Sequence, residues 1–184
     1  MRYKILKYAI SLLFLISSSS QGFFDLQGLF VNYMEDSEKT SQNVTIDYDS
    51  FKKILSITGP SDTTNGEIFL RSRGNNNKER GLLLHQIYII TNKKKWHYFD
   101  EAYDSEGKKL DLTVISRDVG NCGSYGCFLH ESIGINLTDD ELKQIENTGI
   151  AFKIYGKNKD GVSYKVSSKY IKGYLNAIDK YFKK

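Results

Sequence analysis

The side chains best suited to chemistry crowd into one stretch. Arg117 and Asp118 precede Cys122, and His130 and Glu131 follow Cys127. An arginine with a carboxylate can bind an anionic group, and a histidine with a glutamate can move a proton. The same residues also fit a structural account. A short loop closed by the cysteines makes the flanking segments a hairpin. Arg117 lies five residues before the first cysteine and Glu131 four after the second. A bulge absorbs that difference of one. The two charges then face each other across the strands, in a pair worth under about 1 kcal/mol if exposed. This account is preferred. Acid–base work by His130, Glu131 and Asp118, with Arg117 as an anion-binding residue, is the alternative.

Other catalytic and metal signatures are missing. No histidine follows His130-Glu131 at the spacing of a zinc protease. The chain has 3 histidines, too few for a histidine-rich metal site, and His85 and His97 fall inside strand patterns. Asp139-Asp140-Glu141 suits the start of a helix electrostatically and calls for no cation. There is no Gly-x-Ser-x-Gly elbow and no phosphate loop. No cofactor and no metal are expected. Trp96, Tyr98 and Tyr103 beside Lys93, Lys94 and Lys95 form a second candidate, a stripe on which a sugar ring or base could stack. Aromatics at strand spacing more commonly pair across strands.

Cys122 and Cys127 are the only cysteines, in Asn-Cys-Gly-Ser-Tyr-Gly-Cys-Phe. An even count in an exported chain reads as a disulfide, and Gly123 and Gly126 allow the turn it needs. Loop entropy gives such a short closure about 2 kcal/mol. A redox pair has two intervening residues rather than four. Zinc would need Cys122, Cys127, His130 and a fourth ligand.

Export is read from the first residues. Arg2, Lys4 and Lys7 form a basic head, Tyr8 to Ile16 an apolar run, and Ser17 to Ser20 a row of small residues. That order is a cleavable signal peptide over 1–20. The apolar run falls well short of the roughly 20 residues a membrane span needs. Cleavage after Ser20 removes three basic residues and no acid. Lys and Arg fall from 26 to 23 against 22 acids, and the net charge from +4 to +1. General attraction to nucleic acid or to anionic lipid loses its support, and only local basic patches remain open. The expected product is secreted or periplasmic, with no stable membrane anchor.

These residues need strands to position them. After a lead-in at 21–42, a single β-rich domain is expected over 43–184. Alternating or apolar runs at 43–48, 51–57, 67–73, 82–90, 96–103, 110–119, 128–137, 150–155 and 163–166 read as nine strands joined by polar turns. Thr138 and Glu141 form a capping box for a helix over 139–147, and Gly149 ends it. Ile171, Leu175 and Ile178, with Tyr174 beside them, share one face of a C-terminal helix over 168–182. Consecutive strands favour antiparallel pairing. The expected fold is mainly β or α+β, an antiparallel sandwich or strongly curved sheet with the last helix covering one edge.

From Trp96 onward the order Trp96, Ala102, Gly107, Arg117-Asp118-Val119, Cys122, Cys127, Glu131, Leu142, Gly149, Gly156 and Tyr170-Ile171 resembles a group of uncharacterised exported bacterial proteins that carry no assigned activity. The resemblance implies a bacterial, extracytoplasmic origin and transfers no chemistry. The functional expectation is a non-catalytic binding or interaction domain whose partner is a protein or a cell-envelope component. The alternatives are a secreted hydrolase using His130 and Glu131, and a secreted inhibitor or effector using a hairpin tip at 74–81.

Overall fold

The computed structural model describes residues 32–63, 67–75, 83–124, 126–157 and 161–183. The expected signal peptide and most of the 74–81 tip lie outside the described residues. The described residues belong to one compact unit. It is mainly β, with nine strands among the described residues.

A 3₁₀ turn, Tyr33–Glu35, leads into a short helix in the lead-in, α1, Ser37–Gln42. The strands are β1 (Thr45–Asp49), β2 (Ile54–Thr58), β3 (Glu67–Gly74), β4 (Leu84–Lys93), β5 (Phe99–Asp104), β6 (Leu112–Gly123), β7 (Gly126–Leu137), β8 (Ile150–Gly156) and β9 (Gly161–Val166). Helices α2 (Asp139–Gln144) and α3 (Ser168–Phe182) complete the fold. Six strands form one sheet in the order β1-β2-β3-β4-β7-β6, and three form a second, β5-β8-β9. Every pairing is antiparallel.

The period of two decides which side chains enter the core. Leu55, Ile57, Leu70, Ile87, Ile89, Ile133 and Ile135 turn inward from the large sheet and are fully buried. Phe152, Ile154 and Val166 of the small sheet join the same apolar cluster, with Tyr170, Tyr174 and Ile178 of α3.

The C-terminal helix lies on a face of the large sheet instead of covering its edge. The Tyr174 hydroxyl is 2.5 Å from Ser72 Oγ on the inner side of β3. The Tyr170 hydroxyl accepts from Leu70 N–H at 3.1 Å and donates to Pro60 O at 2.8 Å, where β2 has ended. A side chain at Gly59 would collide with that hydroxyl, since a Cβ there would lie 2.5 Å from it. Ser167 caps α3, and Thr138 and Glu141 form the expected capping box of α2. Helix α2 stops at Gln144, short of the expected 147, and Gly149 at φ +72 then turns the chain into β8.

Candidate functional site

The two halves of the cysteine hairpin pair as expected. Cys122 and Cys127 are disulfide-bonded and sit opposite each other, with Gly123 opposite Gly126 beyond them. Strands β6 and β7 therefore run to the turn itself, further than the hydrophobic pattern indicated. Register shifts at 114–116 and 119–122 absorb the offset. Arg117 falls opposite Glu131, with Arg117 Nε 3.1 Å from Glu131 Oε2.

Glu131 does more than pair with Arg117. It is 2 % exposed. Its Oε1 accepts from the backbone N–H of His97 at 2.6 Å and of Tyr98 at 3.1 Å, and its Oε2 from Phe99 N–H at 3.3 Å. Arg117 Nη2 donates to Phe99 O at 3.2 Å. Three successive N–H groups can converge on one anion only if the chain between them turns. Tyr98 supplies that turn at φ +54, a conformation that is costly for a side chain with a Cβ. The carboxylate thus ties the large sheet to the start of the small one. Four donors in all hold this carboxylate in place.

His130 does not share this site. Neighbouring residues of a strand point to opposite faces. His130 pairs with Asp118 on the outer face while Glu131 points inward. The geometry joins Arg117 to Glu131 and sets Asp118 opposite His130 on the other face, and does not gather all four.

The aromatic stripe also divides. Residues 96–98 are not strand, because the turn at Tyr98 delays β5 until Phe99. Trp96 and Tyr98 stay close, their rings 6.2 Å apart. Tyr98 is exposed, with Arg117 and Lys157 each 5.3 Å from its ring centre. Tyr103 instead packs edge-on against Tyr155 on β8.

A serine, a histidine and an aspartate do meet elsewhere. Ser72 Oγ is 2.6 Å from His85 Nδ1, and Asp139 Oδ1 is 3.4 Å from His85 Nε2. Those are the side chains of a nucleophilic triad. Ser72 is 3 % and His85 1 % exposed, and Ser72 is also bonded to Tyr174 beneath α3. Ser72, His85 and Tyr174 form a polar cluster buried in the core, closed off from solvent.

The site that the sequence did not reveal lies on the outer face of the large sheet. Arg71 donates through Nε and Nη2 to Gln86 Oε1 at 2.9 and 2.7 Å. Gln86 Nε2 donates to Asn136 Oδ1 at 2.6 Å, and Asn136 Nδ2 to Asp111 Oδ2 and Thr113 Oγ1, both at 2.9 Å. Registers 71–86 and 86–136 place these residues side by side across β3, β4 and β7. The direction of the chain is fixed at its start. A guanidinium only donates, so the Gln86 oxygen must face it, and each amide downstream is oriented in turn. Gly134 makes room, since a Cβ there would lie 2.6 Å from Gln86 Cδ. The Arg71 guanidinium lies 4.0 Å over the Tyr88 ring, and partial burial pulls its pKa down. It remains a cation.

A groove of about 580 Å³ runs along this network. Ser56, Thr58, Arg71, Arg73, Gln86 and Asn136 line it, with Leu84 and Asp111. No three or more metal-binding side chains cluster among the described residues. No family model matches the chain, and no curated protein matches it.

Proposed function

We propose that the chain is exported and acts outside the cytoplasm as a non-catalytic binding domain. Its recognition surface is the outer groove, and its partner is a protein or cell-envelope component. The oriented Arg71–Gln86–Asn136–Asp111 network carries this reading. A partly exposed polar network adds little to stability. It does hold donors and acceptors in fixed positions, which lowers the ordering cost of recognition. Arg73, Ser56 and Thr58 beside it offer a cation and two hydroxyls. Carbonyl-, hydroxyl- or carboxylate-bearing groups fit this lining. The order of residues 1–20 supports export, and the Cys122–Cys127 bridge is compatible with an oxidising compartment.

The test is capture from a purified envelope fraction by immobilised chain 21–184. Wild type should retain a defined component, and Arg71→Ala and Asn136→Ala should each lose it at least about tenfold while keeping the wild-type circular dichroism. Equal capture by wild type and variants would overturn the groove reading. Turnover of an envelope substrate that disappears in His130→Ala would replace it with the hydrolase alternative.

A further inference from the structure

One end of the large sheet has a different character from the groove. The last pair between β4 and β7 is Lys93–Leu129, and Leu129 pairs in turn with Val119. Beyond that line β6 and β7 continue to the disulfide-closed turn without β4 beside them. This projecting hairpin is apolar on both faces. Val119 is 61 % exposed on the face that carries Arg117, and Phe128 is 46 % exposed on the other. A hairpin edge that met only water would be polar on at least one side. Exposed Tyr98, with Trp96 next to it, flanks the same end.

The charges here are mostly of one sign. Lys93 ends β4, Lys94 and Lys95 follow it directly, and all three are exposed, as is Lys157 beside the Tyr98 ring. Residues 93–98 contain no acid, and residues 117–130 contain only Asp118, which faces outward opposite His130. Arg117 is neutralised by Glu131. After loss of residues 1–20 the net charge is only +1, so this cationic end is a local feature of a nearly neutral molecule.

From this juxtaposition we infer that the hairpin end docks reversibly on the surface of an anionic lipid bilayer. Val119 and Phe128 enter the headgroup boundary. Trp96 and Tyr98 lie at its level, as amphipathic rings do. The lysines meet lipid phosphates. Apolar groups on both faces of one tip, ringed by ammonium groups on long stems, match a fluid surface better than one rigid protein face. The disulfide keeps the tip closed. Each lysine near an anionic surface contributes about fivefold in partitioning at low salt.

Vesicles of phosphatidylcholine, with and without phosphatidylglycerol, test the inference by co-sedimentation with chain 21–184. Binding is expected only where phosphatidylglycerol is present, with a blue shift of Trp96 fluorescence and loss of binding at high salt. Replacing Lys93, Lys94 and Lys95 by Gln should weaken it about a hundredfold. Phe128→Ser should weaken it about tenfold. The lysine variant changes only exposed side chains, so it remains a test if Phe128→Ser fails to fold. Arg71→Ala should bind vesicles as wild type does, which separates this surface from the groove. Equal binding to neutral and anionic vesicles, or binding unchanged in the lysine variant, would overturn the inference. So would a dimer abolished by Phe128→Ser without vesicle binding, which would give the tip to a second copy of the chain.

Discussion

Glu131 shows how one ion pair can hold two unequal partners. The Glu131 side chain is 3 % exposed, while that of Arg117 is 31 % exposed. Glu131→Ala strands a guanidinium and three backbone N–H groups and should cost about 3–5 kcal/mol, measured by chemical denaturation. Arg117→Ala leaves the carboxylate its three N–H donors and should cost about 1 kcal/mol. Equal costs would show that the backbone bonds contribute nothing. Tyr98 allows a second test of the same site. Tyr98→Gly keeps the φ of +54 and removes its steric cost, so stability should stay level or rise by about 1 kcal/mol. Tyr98→Val, branched at Cβ, should destabilise, and thermal melting of the two variants compares them directly. The Arg117–Glu131 pairing was legible because the cysteines fix the turn between them. The backbone donors at 97–99 were not legible. They come from main-chain groups about thirty residues upstream, and main-chain N–H groups leave no mark on residue type. The outer-face network was hidden for a related reason. Each outward polar residue follows from alternation, but their meeting depends on β7 lying beside β4.

Among the elements, α3 was read correctly in extent and incompletely in contact. The spacing of Ile171, Leu175 and Ile178 marked its apolar face, and Tyr170 and Tyr174 broaden that face into the sheet. Their hydroxyls decide the docking. Tyr174→Phe should cost about 1–2 kcal/mol through its lost bonds to Ser72 and Ile57 O. Gly173 is equally constrained, because a Cβ there would lie 2.3 Å from Ser37 O of α1. Burial pushes the Tyr164 phenol up to about 12 and raises those of Tyr170 and Tyr174 as well. The sign follows from proton counts. Above pH 10, the ordinary tyrosine value, the unfolded chain releases protons that the native phenols keep. The unfolded state then binds fewer protons, and stability falls as pH rises. The stability from these phenols is complete below about pH 10 and drains away through about pH 12. Urea midpoints measured across that window should decline, and Tyr174→Phe should flatten the decline. The cysteine bridge contributes less than this packing. Its short loop gives about 2 kcal/mol, so a Cys122→Ser, Cys127→Ser double variant should fold and melt modestly earlier. Collapse of that variant would assign the bridge a larger role.

For the molecule as a whole, two sheets raise the question of one folding unit or two. Nothing in the order of strand-like segments distinguished a six-stranded and a three-stranded sheet from one curved sheet, because β5 looks like a normal successor to β4. The chain departs at residues 94–98, where Tyr98 turns and Glu131 takes the free N–H groups that a paired strand would have used. The sheets then share their interior. Phe99, Phe152, Ile154 and Val166 lie in one apolar cluster with Ile87, Ile133 and Ile135, and α3 contributes to the same cluster. Opening the small sheet alone would expose Phe152 and Ile154 and uncover α3. Full burial of one such side chain is worth about 1.5–3 kcal/mol, so partial unfolding costs much of the total stability of a domain this size. The molecule should therefore unfold in one step. Trp96 is the only tryptophan and lies on the connection between the sheets. Its fluorescence reports the junction, and far-ultraviolet circular dichroism reports all strands. In urea the two signals should give one shared midpoint. A fluorescence change that preceded the loss of β signal would mean that the junction opens while both sheets survive. Glu131→Ala sharpens the test. It removes the electrostatic tie and leaves the shared core intact, so its transition should move to lower urea and the two signals should still coincide. If the signals separate in that variant alone, the carboxylate and not the apolar core makes the two sheets one cooperative unit.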